Sequence, residues 1–179
     1  NLFMASKGHI VIYPINKKNE LNLVCTLREK NFNPDNLRLI LDRKLLSQNE
    51  NLKNLFKGNF QSWPLYESQR INISSNKKIF YLGDAFFGFL PTLAQGASQS
   101  IEGAYELFNL LKKNNKDVHK YYHRRRSERV KIIKKKSNFN FFAFHFSSSI
   151  FKFLRNMILK RLVKNKRFIR NYLGEVYKN

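Results

Sequence analysis

The chain has one cysteine in 179 residues, so no disulfide framework staples it and its redox compartment is left open. Cys25 lies in the apolar run Leu23-Val24-Cys25, where the role of a small buried apolar residue is expected for it. No stretch of about 18 apolar residues could span a bilayer, and there is no secretory signal pattern. Absent too are a GxxxxGK[ST] phosphate loop, a GxSxG nucleophile elbow and any Cys/His arrangement suited to covalent catalysis. His9, His119, His123 and His145 do not stand at metal-ligand spacing; His119 and His123 lie four apart with only Asp117 beside them, so no metal centre is expected. Acidic residues are scarce, 12 against 34 lysines and arginines, for a formal charge of +22.

That charge is unevenly placed. Residues 1 to 111 carry 13 Lys and Arg against 9 Asp and Glu, whereas residues 112 to 179 carry 21 against 3. The runs Arg124-Arg125-Arg126 and Lys134-Lys135-Lys136 come with no nucleic-acid recognition motif, so no nucleic-acid partner is expected. With 42% hydrophobic and 15% aromatic residues, the chain can form a core and does not have the composition of a disordered protein.

Hydrophobic periodicity predicts the elements. Gly8 to Leu27 reads as a β-hairpin, and Pro34 to Leu46 as a helix with Leu37, Ile40, Leu41 and Leu45 on one face. A short Leu52-Leu55-Phe56 segment ends at Gly58. Strands are expected at 60–66 and 78–83, long helices at 97–113 and 117–136. The remainder, Phe139 to Leu173, is aromatic and basic, with apolar residues at helical spacing.

The most informative stretch is Tyr81-Leu82-Gly83-Asp84-Ala85 followed by Leu90-Pro91 and Gln95-Gly96-Ala97-Ser98. An apolar run ends on a Gly-Asp corner, a Pro- and Gly-punctuated loop follows, and a helix begins at once. This order is expected to set a buried carboxylate, Asp84, and a helix N-terminus on either side of a cleft. The carboxylate can accept hydrogen bonds from sugar or ribityl hydroxyls. Gly83 and Gly96 let a ligand approach the backbone, and the first amides of the helix face a group that gains negative charge. A plain strand-turn-helix with Asp84 as a turn residue is the competing reading.

These residues resemble the second FAD fingerprint of the flavoprotein aromatic hydroxylases, whose common form reads GDAAHxxxPxxGQGxNxAxEDA. The resemblance extends to the hairpin around Gly8 to Val24, to Trp63-Pro64-Leu65-Tyr66, and to the Arg-rich stretch Tyr122 to Arg129; residues 8 to about 160 lie along the second half of that family. It implies an α/β fold: part of the substrate-domain sheet in 1–75, the second part of the FAD domain in 76–136, and a basic helical tail in 137–179. By the same resemblance Gly83, Asp84, Pro91, Gln95, Gly96, Ala97 and Ser98 bind FAD. Tyr13, Pro14, Trp63 and Tyr66 wall the substrate cavity, though Trp63 and Tyr66 read by themselves as core residues. The implied activity is hydroxylation of an aromatic or similarly electron-rich small molecule with O2 and NADH or NADPH, in the cytoplasm. Three positions depart from the pattern: Phe87 stands for its histidine, Ser98 for its asparagine and Gly103 for its aspartate. No GxGxxG turn is present and the chain opens at Asn1, so a carboxyl-terminal part of a longer protein is expected.

Two alternatives stay open on the residues alone. One is an epoxidase or reductase of related fold, which Phe87 permits. The other is a non-catalytic, basic membrane-surface module. In 149–172, Ile150, Leu154, Met157 and Ile158 form an apolar stripe and Lys152, Arg155, Lys160, Arg161 and Lys164 occupy much of the rest, as in a helix lying peripherally on the inner face of a membrane. A helix pair packed on its own protein answers the same pattern.

Overall fold

The computed structural model describes residues 1–16, 20–29, 33–46, 50–56, 60–113 and 116–177. The chain forms two compact units, one of residues 1–63 and 142–161, the other of residues 64–141 and 162–179. The class is α+β, mostly helix with a three-stranded antiparallel sheet.

In the first unit the sheet runs β1 (Leu2–Ala5), β2 (Gly8–Pro14), β3 (Leu21–Leu27), in that order across the sheet. The expected hairpin is therefore present, and β1 adds a strand that the pattern did not announce. Ala5 pairs with Gly8, which leaves Ser6-Lys7 as a two-residue turn. A side chain at Gly8 would meet the Thr26 carbonyl at 2.4 Å, so glycine is needed where the two strands close. The period of two puts Ile10 and Ile12 on one face. There they pack with Leu41, Leu46, Leu52 and Phe56, and Leu23, Cys25 and Leu27 cover the edge of this cluster. Cys25 is half-buried, and burial pushes its thiol up to about 12, so it packs rather than reacts.

The helix expected over 34–46 is a 3₁₀ turn (Pro34–Asn36), α1 (Leu37–Leu41) and a π turn (Asp42–Leu46), followed by α2 (Glu50–Leu55). Gly58 and the charged turn at 17–19 lie outside the described residues.

The second unit holds α3 (Asp84–Phe87), a 3₁₀ turn (Pro91–Leu93), α4 (Gly96–Lys112), most of α5 (Val118–Phe144) and α7 (Lys166–Tyr177). The last residues of α5 and nearly all of α6 (Ser149–Leu162) belong to the first unit. Without glycine or proline, α5 continues two turns beyond its expected end. Residues 60–66 and 78–83 form no β-ladder among the described residues. The 68–72 segment instead clips onto the turn after α3. Ser68 N–H donates to the Gly88 carbonyl (3.0 Å), Asn72 N–H to the Phe86 carbonyl (3.0 Å), and Gly88 N–H to Ser68 Oγ (2.9 Å). Behind this clip Phe86, Phe87 and Val130 form a core with Ile71, Tyr81 and Phe89 against it.

Candidate cofactor-binding corner

Gly83 takes φ +55° and ψ −136°, a conformation that a side chain rarely adopts, and it carries the chain from the Tyr81-Leu82 run into the single turn of α3. A Cβ there would stand 2.5 Å from Ser100 Oγ. The Gly-Asp corner is therefore pressed against the first turn of α4, where Ser100 Oγ–H donates to the Gly96 carbonyl (3.0 Å). Asp84, the next residue, is exposed rather than buried as expected. Its carboxylate is open to solvent, so a ligand hydroxyl that meets it takes the place of bound water.

The connection between corner and helix is stiff. Pro91 opens the 3₁₀ turn, and Ala94 closes it at φ +51° with its N–H on the Pro91 carbonyl (3.2 Å). Ser137 on α5 anchors this loop from behind: its hydroxyl donates to the Leu90 carbonyl (2.8 Å), and Thr92 Oγ1–H donates to the Ser137 carbonyl (2.8 Å). Gln95 is buried and precedes α4 without a side-chain cap on its amides. Gly96, Ala97 and Ser98 are exposed, and a Cβ on Gly96 would meet nothing within 4 Å. Packing therefore does not account for this glycine. The open approach to the first amides, which have no intrahelical acceptor, suits an anionic or electron-rich group.

Beneath the corner lies a network that sequence reasoning did not single out. Arg126 of α5 is 3% exposed. It reaches Glu102 Oε1 (2.8 Å), Gln99 Oε1 (2.9 Å) and the Gln99 carbonyl (3.2 Å), while Arg129 donates to the same Glu102 oxygen (2.8 Å). Burial works to raise the Glu102 carboxyl. The hydrogen bond and charge of Arg129 and the charge of Arg126 outweigh it and hold the group below its usual range. Burial wins at Glu106, which sits above its usual range despite Arg126 and Arg125. A Cβ at Gly103 would stand 3.4 Å from Arg126 Nε and 3.5 Å from the Tyr122 hydroxyl, ordinary contact for an alanine, so only a longer side chain would press on Arg126. Tyr122 also donates to the Tyr81 carbonyl (3.0 Å), tying the run before the corner to α5. The signal for this network was the spacing of Gln99, Glu102 and Glu106 on one helix against Arg126 and Arg129 on the next.

The expected site residues are brought together only in part. Gly83, Asp84, Pro91 and Gln95 to Ser98 share one region of the second unit. Phe87 is buried in the core behind α3, with Phe89 at 5.0 Å between ring centroids and Lys134 Nζ 5.0 Å over its ring, so it presents nothing to a ligand. Trp63 and Tyr66, expected as core residues on a return strand, are 72% and 82% exposed and lie on no strand. Tyr13 and Pro14 end β2, also exposed, and Tyr13 accepts a hydrogen bond from Asn22. Arg70, Ile71, Asn72, Ile73, Tyr81 and Ala85 line an open cleft of about 670 Å³. Arg70 and Asn72 are polar residues there that the sequence did not mark. The void directly behind Gly83 is about 10 Å³, room for no more than one water.

No protein-family model matches this chain, and no curated protein matches it.

Proposed function

We propose that this chain supplies the ribityl- and ring-facing half of an FAD site in a monooxygenase that acts on an aromatic or similarly electron-rich small molecule. The observation that carries the reading is the Gly83-Asp84 corner against the first turn of α4, with an exposed carboxylate on one side and an open, uncapped glycine-led N-terminus on the other. The donor set fits the group: Asp84 accepts from hydroxyls, and the amides of Gly96, Ala97 and Ser98 donate to the carbonyl edge of an electron-rich ring. The bound flavin would supply hydride acceptance from NADH or NADPH and oxygen activation. Pro91 and the Ser137-anchored loop hold the amides in place, so their dipoles need not reorganise as charge develops. The cleft lined by Arg70, Asn72 and Tyr81 is offered to the more polar part of the cofactor or to the substrate.

The purified protein should be yellow, and its Asp84→Ala variant should retain flavin at least tenfold more weakly, the cost of about one hydrogen bond to a charged group. Undiminished retention sinks the assignment of Asp84. Phe87 has no titratable atom and is buried, so the position that carries a histidine in the family this stretch resembles offers a ligand neither a proton donor nor a contact. Oxygen uptake and product analysis with NADH and a phenol, set against an alkene substrate, separate hydroxylation from epoxidation and from simple reduction.

A further inference from the structure

The helix α6 is docked the wrong way round for a helix that belongs to a soluble core. A surface helix normally buries its apolar stripe and shows its charges. Here Arg155 is 8% exposed and points inward, donating to the carbonyls of Ala143 (3.2 Å) and Phe144 (3.1 Å), the last of α5. These are carbonyls that a helix end leaves without intrahelical donors. The apolar residues lie opposite. At 100° per residue Ile150, Leu154 and Ile158 form one row, with Phe153 and Met157 alongside and Phe151 at the edge. All six are exposed, Ile150 to 71% and Phe153 to 68%. A contiguous apolar face of this kind marks a surface that something covers.

Charge decides what covers it. No acidic residue occurs between Glu128 and Glu175, and α6 itself carries Lys160 beside Phe153 and Arg161 at the carboxyl end of the apolar row, both exposed. A second copy would bring the same cationic rim against this one and be repelled. A sheet of anionic headgroups above hydrocarbon matches both features: the aromatic and aliphatic side chains enter the acyl boundary while lysine and arginine stems reach up to the phosphates. Among the described residues no helix is long and apolar enough to cross a membrane, and α6, about 21 Å long at 1.5 Å per residue, suits lying in the interface. We infer that α6 is an interfacial anchor that lays the Ile150-Leu154-Ile158 face on an anionic phospholipid surface. The inference stands independently of the flavin reading.

The test is flotation of the whole chain with vesicles of phosphatidylglycerol and phosphatidylcholine in equal parts, and with phosphatidylcholine alone. Binding to the mixed vesicles, at least about tenfold weaker to the neutral ones, is expected. The double variant Phe153→Gln/Met157→Gln should weaken partitioning by about tenfold or more, with an unchanged circular dichroism spectrum because both side chains are solvent-exposed. Lys160→Gln/Arg161→Gln should flatten the salt dependence while leaving all six apolar side chains in place. Absence of vesicle binding, equal binding to both compositions, or wild-type binding by the Phe153/Met157 variant overturns the inference. So does a dimer in sedimentation velocity that the same double variant dissociates, because a second copy is then the occupant.

Discussion

At the scale of single residues, Arg126 and Gly83 carry the corner. Arg126 is held in a nearly dry site by Glu102 and Gln99, so Arg126→Leu takes the donor from the Gln99 oxygens and leaves Glu102 to Arg129. A loss of about 1–3 kcal/mol in urea unfolding is expected, the usual cost of buried acceptors left without a donor. Gly83→Ala puts a Cβ both into a disfavoured backbone region and onto Ser100 Oγ. It should cost about 1–3 kcal/mol, and Ser100→Gly in the same chain should recover part of that loss, read as a non-additive double-mutant cycle.

His9 gives a pH dependence of definite sign. Its Nδ1 lies 3.1 Å from His145 Nε2 in a buried pair, and burial, helped by the neighbouring imidazole, lowers its pKa from 6.5 to about 4. Burial and His119 likewise push His123 below its usual value, between the rings of Phe80 and Phe86. A depressed folded-state pKa means that the unfolded chain takes up the proton first. For His9 stability is therefore complete above pH 6.5 and falls as pH drops toward 4, by up to about 1.4 kcal/mol per pH unit, and His123 adds a loss of the same sign. Urea midpoints at pH 7 and pH 5 should show this loss, and His9→Asn, which keeps a hydrogen-bonding atom near Nδ1, should make the dependence shallower.

At the scale of elements, the helices of the basic tail answer differently to one sequence pattern. Asn165 caps α7 through its side chain (3.0 Å to Phe168 N–H). Tyr172 then meets Lys136 Nζ at 4.1 Å from its ring centroid and donates to Asn140 Oδ1 (2.9 Å), so α7 is packed on its own protein. Its neighbour α6 buries an arginine and exposes the stripe. Arg155→Met keeps the side-chain stem but leaves the carbonyls at the end of α5 without their donor. A loss of about 1–3 kcal/mol is expected, whereas Ile150→Gln on the open face should leave thermal stability within about 0.5 kcal/mol. The runs at 60–66 and 78–83 show the limit of periodicity. Their residues have strand character, but a strand is made by a neighbour, and neither run finds one among the described residues. The hairpin at 8–27 brings its own neighbour, which is why it was legible.

At the scale of the molecule, the formal charge of +22 already counts every carboxylate, so internal ion pairs leave the cationic excess almost whole. Arg125, Arg126, Arg129 and Lys136 are paired with Glu106, Glu102 and Glu175. What remains is the exposed cationic surface that includes α6. Non-specific attraction to DNA and to anionic vesicles should weaken together as salt rises. Only vesicle binding carries an apolar term, so Phe153→Gln/Met157→Gln should reduce vesicle binding while leaving DNA retention at low salt unchanged. Undiminished binding of both would assign the attraction to charge alone, because the variant alters no charge.

Local pattern was enough for the hairpin, for α4 and α5, for the stiff Pro91 loop and for the Gly-Asp corner, because each depends on neighbours a few residues away: alternation, caps, or a backbone that only glycine accepts. Long-range pairing was needed for the rest. That Asp84 is exposed, that Phe87 serves the core, that Gly103 makes room for Arg126, and that α6 turns its arginine inward are decided by what packs against each side chain. Burial belongs to the packed chain, and the order of residues does not contain it until distant segments meet.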